Sequence, residues 1–548
     1  MPARLWRMKH INKEKADVET IRLIGRGSKL SLLQLEKVKH KITAAYPGIR
    51  VEIIARESRG DTLKDIPLQT VDGSDFFTQD IFDALQKNEA DIAVHSLKDM
   101  SSEHFFGTNK FAIVDRDDVR DIAIFRKEIE QKLTNGDKII VGTCSPRREE
   151  MAIGFLQKAL PQWNAAFKVE TKTIRGNVDT RLRKLDAGEY DGIILATAGL
   201  NRLLSSPSAV EISPSAVENP DGGYSTKKLL KDKKLMLLPL IECVPAPCQG
   251  AIVAEANPSN KTAVDILNAI NDNKLMQNCI RERQTAIQYG VGCLQRFGVT
   301  TIRYGDTSTL RQTQRLSEII YAAGKDSDNN SFSNWTGLPQ LNTVDKNIFS
   351  ATDFMGNFFQ YEYNNESKTI KEAIVFVANY KAAEKEELIQ QLQTKQVWAA
   401  GTKTWLELAK KRVWVQGCAD AFGLEFLIAP WQMPLFNISK REVAVVTNNS
   451  TATTWQAKGW KVYGTYDTLD KQIPGIEEQI KQADIIFWTS FRQYARYKSA
   501  VKENAVHVCP YGETAEQFKA TGIEPVVFPT IKAFLQWRQT SIRSTKEG

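Results

Sequence analysis

Short apolar runs that are followed at once by polar residues recur along the first half of the chain. Runs of this kind are typical of buried strands in a parallel sheet. We predict strands at residues 22–24, 51–55, 92–94, 138–142, 169–174, 190–196 and 251–255. The stretches between them have the length and apolar spacing of helices, so the pattern predicts α/β units with largely parallel sheets.

The stretch Asp91-Ile-Ala-Val-His-Ser-Leu-Lys-Asp-Met100 brings several chemistries to the end of one predicted strand. An imidazole, a hydroxyl (Ser96), an ammonium (Lys98) and a carboxylate (Asp99) follow the apolar residues directly. Reactive groups in open α/β sheets lie at the carboxyl ends of strands. These groups could therefore handle a charged substrate and a proton, although a helix N-cap with solvated neighbours is the alternative.

A glycine-containing turn, Gly25-Arg-Gly-Ser28, precedes a predicted helix that contains Gln34. A turn that opens a helix leaves backbone N–H groups pointing outward, and anions bind at such ends. With Arg26 and Ser28 in the turn, a carboxylate or a phosphate is the ligand that we expect. The spacing matches neither a P-loop nor a GxGxxG fingerprint, and a simple capped helix is the alternative.

Arginines follow the predicted strands of a second α/β block. Thr143-Cys-Ser-Pro-Arg-Arg148 contains two of them, and Arg175 and Arg181 flank the next turn. Arginine binds carboxylates through two parallel hydrogen bonds. The pattern therefore favours a substrate with several carboxylates, with a phosphate-rich ligand as the second choice.

The pattern changes after about Ala269, where a helix with Glu282-Arg283 and several short strands predict a smaller α+β unit that ends near Asn365. The last segment contains an internal repeat. Two apolar strands, which contain Phe376 and Phe487, are each followed 25 residues later by a glycine, Gly401 or Gly512. Two copies of an α/β half-unit predict a two-lobed domain, although a purely structural duplication remains open.

Composition limits the class of protein. The 548 residues favour three or four domains, and the net charge of +8 (73 basic minus 65 acidic residues) is modest. No basic stripe indicates a nucleic-acid partner, and no apolar segment indicates a signal peptide or a membrane span, so we expect a cytoplasmic protein. The seven scattered cysteines favour reduced thiols. Cys243 and Cys248 have no matching second pair, so we expect no metal.

Six motifs together resemble one enzyme family. They are Gly25–Gln34, Asp91–Asp99, Val141–Arg148, Ile174–Leu182, Pro245–Gly250 and Gly292-Cys293. Their order and spacing over roughly residues 20–365 resemble porphobilinogen deaminases, also called hydroxymethylbilane synthases. The tail, at about 370–548, resembles uroporphyrinogen-III synthases more weakly.

The resemblance implies a multidomain α/β architecture. Residues 1–20 would be an extension, and two lobes like those of type II periplasmic binding proteins would comprise residues 21–114 with 251–268 and residues 115–250. A small α+β domain at 269–369 would hold the cofactor. A two-lobed α/β domain of the uroporphyrinogen-III synthase type would occupy residues 370–548.

The resemblance also implies the chemistry. Cys293 would hold a covalent dipyrromethane cofactor through a thioether, and four porphobilinogen molecules would be joined to it with loss of ammonia, giving hydroxymethylbilane. Each porphobilinogen carries two carboxylates, which arginines would bind. Loss of ammonia leaves a cation, which Asp99 would stabilise. The tail could then cyclise the product.

Residue roles follow from the matched motifs. Asp99 would be catalytic. The cofactor would be bound by Cys293, Lys98, Thr143, Ser145, Arg147, Arg148 and Arg175. The substrate would be bound by Arg26, Ser28, Gln34, Ser96, Arg175, Arg181, Arg202 and Gln249. The cleft of the C-terminal domain would contain Tyr466, Thr489, Ser490 and Thr514.

Some positions depart from the family's pattern. Ser74 and Gln79 stand where relatives usually carry lysines, and Cys248 stands where they carry glycine. We expect a monomer that binds porphobilinogen and hydroxymethylbilane. The alternative is a two-lobed protein that binds a small anion without catalysis, for which neither Cys293 nor Asp99 would be needed.

Overall fold

The computed structural model describes residues 20–56, 79–100, 109–205, 226–290, 295–304, 317–365 and 368–544. These residues fall into two compact units. The first comprises the described residues up to Asp117 and those of Gln249–Ile280. The second comprises Asp118–Ser205, the described residues up to Cys248 that follow, and those from Arg281 onward.

The amino-terminal half alternates strands and helices, as the apolar pattern predicts. Its elements are β1 (Thr20–Arg26), α1 (Lys29–Ala45), β2 (Arg50–Arg56), α2 (Gln79–Gln86), β3 (Ile92–Ser96), β4 (Lys110–Arg116), β5 (Asp121–Phe125), α3 (Ile129–Asn135), β6 (Lys138–Gly142), α4 (Pro146–Ala159), β7 (Lys168–Lys172), α5 (Val178–Asp186), β8 (Gly192–Ala196), α6 (Thr197–Ser205), α7 (Thr226–Leu230), β9 (Lys234–Leu237), β10 (Ala251–Ala256), α8 (Lys261–Ile270) and α9 (Asn273–Ile287).

Two five-stranded sheets have the same pattern of strand directions. The first unit has the strand order β2-β1-β3-β10-β4, and the second unit contains β7-β6-β8-β5-β9. In each sheet one strand next to the edge runs against the others, β10 in the first and β5 in the second. The prediction of largely parallel sheets is therefore confirmed, with one reversed strand per sheet that the periodicity did not reveal.

The described residues of the carboxyl-terminal half form four further sheets. Its elements are β11 (Arg296–Tyr304), β12 (Ser317–Lys325), β13 (Ser331–Thr336), β14 (Ile348–Ser350), β15 (Phe359–Tyr363), β16 (Ile374–Val377), α10 (Glu386–Gln393), β17 (Gln396–Ala399), α11 (Thr402–Lys410), β18 (Val415–Cys418), α12 (Ile428–Gln432), β19 (Val443–Thr447), α13 (Asn449–Ala457), β20 (Lys461–Gly464), β21 (Tyr466–Asp470), α14 (Ile476–Gln482), β22 (Ile485–Phe487), α15 (Phe491–Tyr497), β23 (Val506–Pro510), α16 (Glu513–Ala520), β24 (Val526–Phe528) and α17 (Ile531–Ser544).

The tail is built from two parallel sheets and a two-stranded ribbon. Strands β18-β17-β16-β19-β20 form what we call the inserted lobe, and β14-β22-β23-β24 form the split lobe. The antiparallel pair β15 and β21 is the ribbon through which the chain leaves the split lobe and returns to it. The predicted repeat is present, because β16, β17 and β18 occupy the same places in one sheet as β22, β23 and β24 in the other.

The tail begins earlier than the predicted boundary at residue 370. Strand β14 pairs with β22, with Ile348 opposite Ile485, and β15 pairs with β21. The small antiparallel sheet β11-β12-β13 is therefore followed by the tail before residue 350.

The second sheet and the tail share one core, although their sequences predict separate domains. Trp405 on α11 donates its indole N–H to the Ala159 carbonyl (3.1 Å), and its ring meets that of Phe155 edge-on at 5.1 Å. Trp414 donates in the same way to the Leu235 carbonyl (3.1 Å). Both indoles are buried, so apolar faces that two separate domains would expose are removed from water together.

Within the described ranges, none of the six cysteines forms a disulfide. Cys248 has a positive φ of 62° and is buried, so a residue with a Cβ adopts the left-handed backbone that favours glycine. In the part of the chain that the structure describes, no helix combines the length and the apolar character needed to cross a bilayer.

Candidate active site

Asp99 lies just beyond the carboxyl end of β3, as the pattern predicts. Asp99 is the last residue of a single 3-10 turn, Leu97–Asp99. Leu97, which begins the turn, and Met100, which follows it, are both buried. The buried pair anchors the turn in the core, while the Asp99 side chain itself is exposed. The turn therefore presents a carboxylate to solvent from a rigid support, with the half-buried Lys98 beside it.

The turn between β1 and α1 lies on the same edge of the sheet. Ser28 is the N-cap of α1, and its hydroxyl accepts a hydrogen bond from the Ser31 N–H. Gln34, one turn further along the helix, is buried and donates from Nε2 to the Ser96 hydroxyl at 2.8 Å. A Cβ on Gly25 would come within 2.9 Å of the Leu35 side chain, so glycine is needed for this close packing.

The structure brings Ser28, Gln34, Ser96 and Asp99 to one edge of the first sheet. Arg26 is half-buried and is the last residue of β1. Gln249 is fully buried, and its carbonyl oxygen accepts from Arg116 Nε (3.1 Å). The His95 side chain is buried within the sheet, where its Nε2 lies 3.0 Å from Oε1 of the buried Glu255 on β10.

The second sheet also presents polar groups at the carboxyl ends of its strands. Thr143 follows β6, and its hydroxyl accepts from the Ser145 N–H at 3.2 Å. Ser145 in turn is the N-cap of α4. Arg181 on α5 donates from Nε to the Gly176 carbonyl (2.8 Å) and from Nη2 to Cys144 Sγ (3.6 Å). The turns after β6 and β7 are thus held together by one half-buried guanidinium.

Arg147 and Arg148 bind a carboxylate of the protein itself. Arg147 Nη2 lies 2.7 Å from Asp121 Oδ2, and Arg148 Nη2 lies 2.8 Å from Asp121 Oδ1. Each arginine also donates to a backbone carbonyl, of Val244 and Ile194 respectively. Burial would raise the pKa of Asp121, but the two guanidinium groups outweigh it and hold that pKa well below its usual range.

The remaining amino-terminal residues are placed as follows. Arg175 is half-buried in the turn after β7, and Arg202 is buried on α6, the helix that follows β8. Cys293, together with Ser74, lies outside the described residues. Gln79 begins α2 and donates from Nε2 to Asp83 Oδ1 at 2.8 Å.

The four residues predicted for the C-terminal cleft lie at strand ends or on the ribbon. Tyr466 begins β21 and is buried, which raises the pKa of its hydroxyl to about 12. Thr489 and Ser490 follow β22, and their backbone N–H groups both donate to Gln493 Oε1 (3.0 and 3.1 Å). Thr514 lies on α16, which follows the neighbouring strand β23.

The sequence analysis assigned no role to the buried carboxylates of Asp121 and Glu282. Asp121 opens an otherwise apolar strand, Asp121-Ile-Ala-Ile-Phe125, and a charge in that position was the available signal. Glu282 accepts from the Cys248 N–H (2.8 Å) and from the Thr301 N–H (2.7 Å), and so joins α9 to β11 and to the chain before β10. Within the described ranges no group of three or more His, Cys, Asp or Glu side chains could hold a metal ion.

Comparisons with known proteins concern the same part of the chain. Residues 21–265 match the family described as "Porphobilinogen deaminase, dipyromethane cofactor binding domain". The "Probable porphobilinogen deaminase" of Pyrobaculum islandicum is 34% identical over 274 residues, which are 50% of this chain and 79% of the relative. The "Porphobilinogen deaminase" of Streptococcus sanguinis is 32% identical over 278 residues, 50% of this chain and 80% of the relative.

A solved structure, the BenM effector binding domain with benzoate, is 14% identical and covers 46% of this chain and 91% of its own. Its TM-score is 0.24, which is too low to bear on the fold.

Proposed function

Because the chain belongs to the porphobilinogen deaminase family, we propose that its amino-terminal half joins four porphobilinogen molecules head to tail into hydroxymethylbilane. The observation that carries this proposal is the identity of 32 to 34% over about four fifths of the relatives' length. The matched region is the domain that binds the dipyrromethane cofactor. The exposed carboxylate of Asp99 at a strand end supports the same reaction.

The side chains at the ends of β6 and β7 fit a cofactor with carboxylate arms. Thr143 and Ser145 offer hydroxyls, and Arg175 and Arg181 offer half-buried guanidinium groups. Donors of these types bind carboxylates well. When bound, dipyrromethane supplies the pyrrole end to which the first porphobilinogen is joined. We propose Cys293 as its attachment site.

Asp99 has the properties of a catalytic carboxylate. Each porphobilinogen becomes cationic as ammonia leaves, and a fixed anion nearby lowers the energy of that charge. The buried neighbours of Asp99 fix its backbone, so the carboxylate is presented from a rigid support. The same carboxylate can accept or return a proton at the leaving amine or the pyrrole nitrogen.

Arg147 and Arg148 are proposed to act on the substrate as a charged cluster. Two guanidinium groups and one carboxylate, Asp121, leave a net charge of one positive unit. This charge lies in the first turn of α4, where the helix dipole also favours anions. The cluster therefore attracts the carboxylates of substrate and product while Asp121 holds its geometry.

The intact mass of the purified protein tests the cofactor. We expect a mass that exceeds the sequence mass by one dipyrromethane, and we expect Cys293→Ser to remove the excess. Cys418→Ser is the control, because Cys418 is a thiol on β18 in the tail, outside the proposed cofactor site, and the excess mass of this variant should remain. An active protein with an unmodified mass would disprove the attachment.

Turnover of Asp99→Asn separates the enzyme from the alternative, a protein that binds a small anion without catalysis. We expect the variant to keep its cofactor, because the substitution preserves shape, and to consume porphobilinogen at least about a hundredfold more slowly, the size of a typical electrostatic contribution. A binding protein would release porphobilinogen unchanged even with Asp99 intact. Near-normal turnover of the variant would overturn the role assigned to this carboxylate.

A second candidate function belongs to the tail. We propose that it cyclises hydroxymethylbilane to uroporphyrinogen III, as in uroporphyrinogen-III synthases. The observation that favours it is the architecture: two parallel sheets joined by one antiparallel ribbon, with Tyr466 on the ribbon and Thr489 and Thr514 after neighbouring strands. Ligands of open α/β sheets bind at such strand ends.

The isomer of the product tests this second function. Unassisted ring closure of hydroxymethylbilane gives the type I isomer, so the full-length protein with porphobilinogen should give mainly type III. Tyr466→Phe should shift the product toward type I, because the buried hydroxyl is lost from the ribbon. Type I product from the unaltered protein would refute directed cyclisation. A monomeric state and a cytoplasmic location stay predictions.

A further inference from the structure

A cluster of tyrosines and lysines covers the carboxyl ends of the strands in the inserted lobe. We call it the tyrosine–lysine platform and define it as Tyr361, Tyr380, Lys381, Lys403 and Tyr466. Tyr380 and Lys381 follow β16, Lys403 follows β17, and the other two tyrosines lie on the ribbon. The platform thus spans the lobe and the ribbon that enters it.

The contacts within the platform are close. Lys381 Nζ lies 3.8 Å from the ring centroid of Tyr361 and 5.2 Å from that of Tyr380. Lys403 Nζ lies 5.4 Å from the centroid of Tyr380. The rings of Tyr361 and Tyr466 are 5.8 Å apart and nearly perpendicular, so the aromatic surface continues from the lobe onto the ribbon.

The platform carries positive charge without a balancing carboxylate. Among the described residues no acid lies within ion-pairing distance of Lys381 or Lys403. The acids nearby are engaged elsewhere: Glu384 pairs with Lys411, and Asp467 accepts from Asn449 Nδ2 (2.8 Å). Within the described residues, the half-buried Lys381 ammonium therefore contacts aromatic faces and no carboxylate. Its N–H groups remain able to donate charge-assisted hydrogen bonds to a ligand.

The position of the platform favours a role in ligand binding over that of an ordinary solvated surface. Three parallel strands, β16, β17 and β19, end here, and helices α11 and α13 begin here with their N–H groups directed outward. In open α/β sheets this edge is where ligands bind. Anion-attracting helix ends, unpaired lysines and half-buried rings thus coincide at one edge of one sheet.

From this geometry we infer that the platform binds a polycarboxylate with flat apolar rings, with Lys381 and Lys403 on its carboxylate arms and the tyrosine rings against its ring system. The inference rests on the proposed second function, because a tetrapyrrole with acetate and propionate arms has this chemistry. It goes beyond that function by assigning two lysines and an aromatic surface that recognise the substrate.

Uroporphyrin I, a flat tetrapyrrole with eight carboxylates, is a suitable probe. Equilibrium dialysis against the full-length protein measures both affinity and the number of sites, so binding to the amino-terminal half is counted separately. We expect Lys381→Met/Lys403→Met to weaken one site by about tenfold or more, the effect of losing roughly 1.4 kcal/mol of charge-assisted contact. Lys381→Arg/Lys403→Arg should largely restore it.

The matched control is Lys440→Met. Lys440 also lies over an aromatic ring of the inserted lobe, 4.5 Å from the centroid of Trp460, but it precedes β19 and is therefore at the opposite ends of the strands. This variant should bind uroporphyrin I as the unaltered protein does. Melting temperatures of all variants establish that each is folded.

The outcomes separate this inference from the function on which it rests. Equal affinity in the double methionine variant and the unaltered protein, or equal loss in Lys440→Met, would overturn the platform. If the lysines bind uroporphyrin I as expected while the unaltered protein yields only type I product, the platform stands and directed cyclisation fails.

Discussion

The buried carboxylate of Asp121 offsets part of the positive charge of Arg147 and Arg148 in the second unit. Burial opposes its ionisation, and Arg147 and Arg148 overcome that opposition, so the carboxylate stays charged and its pKa is lowered. The stability that it contributes is therefore present above its unfolded pKa near 3.8 and is lost as the pH falls below that value. The positions of two proposed cofactor-binding arginines thus depend on the buried carboxylate of Asp121.

Removal of the Asp121 carboxylate should lower the free energy of unfolding. Asp121→Ala leaves two buried guanidinium groups without their partner, and a broken buried pair costs about 3–5 kcal/mol. We expect a lower midpoint of urea unfolding, followed by tryptophan fluorescence. Glu407→Ala, which removes an exposed partner of Lys410, should change stability by no more than about 0.5 kcal/mol. Equal midpoints for the two variants would contradict this assignment.

At the scale of elements, the turn after β18 joins the tail to the chain that follows β9. Asp420 and Ala421 both have positive φ angles, 50° and 66°, and Asp420 is fully buried. Its Oδ1 accepts from the Ile241 N–H at 3.5 Å, and its Oδ2 has no hydrogen-bond partner within the described residues.

Charged groups from several elements surround this carboxyl. Arg120, which is held by Asp118, faces it, and Glu242 with its partner Lys532 lies beside it. Burial raises the pKa of Asp420 to about 7, because the attraction of Arg120 offsets only part of the cost of burying the charge. The carboxyl is therefore protonated in the folded protein at mildly acid pH.

This raised pKa predicts a pH-dependent junction. The folded state binds the proton more tightly than the unfolded state, so stability is greatest below the unfolded pKa near 3.8 and falls as the pH rises through about 7. The loss is at most about 4 kcal/mol, at roughly 1.4 kcal/mol per pKa unit. Asp420→Asn mimics the protonated form. Its melting temperature should exceed that of the unaltered protein most clearly at pH 8, and the difference should shrink as the pH falls from 7 toward 4; parallel curves would exclude this titration.

At the scale of the whole molecule, the tail is a structural part of the second unit. The indoles of Trp405 and Trp414 are buried against residues of the second sheet and its helices, and one hydrophobic cluster runs from Ala123 to Tyr466. Each buried aromatic side chain contributes several kcal/mol through the area that it removes from water. The strand ends of the second sheet, which we propose for the cofactor, and the tail therefore belong to one folded unit.

A chain that ends at residue 369 should fail to fold. The deletion exposes the faces of α4 and β5 that the tail covers, and a large apolar patch promotes aggregation. We expect insoluble protein or, in any soluble fraction, porphobilinogen consumption reduced by at least about tenfold. The full-length Glu407→Ala protein, prepared in parallel, should remain soluble and active. A soluble truncated chain with full activity would show that the halves are independent.

Much of the fold and of the candidate site can be read from the order of residues. The strands at β3 and β6, the turn with Ser28 before α1, and the place of Asp99 directly after β3 all follow from local periodicity and from neighbours in the chain. Parallel strands carry their functional groups at their carboxyl ends, so adjacency in sequence is enough to place these groups. The repeat in the tail could be predicted because its two copies place an apolar strand and a glycine at the same separation along the chain.

Only the tertiary structure decided which distant groups meet. The partner of Arg147 is Asp121, 26 residues earlier, and β14 pairs with β22 although Asn347 and Asp484 at their starts are 137 residues apart. Pairings of this kind depend on which surfaces reach each other through space, and no periodic pattern encodes them. By itself the sequence determined the strand ends, the helix caps and the family; the buried ion pairs, the early start of the tail and its shared core came from packing, because burial selects partners by fit and charge rather than by order.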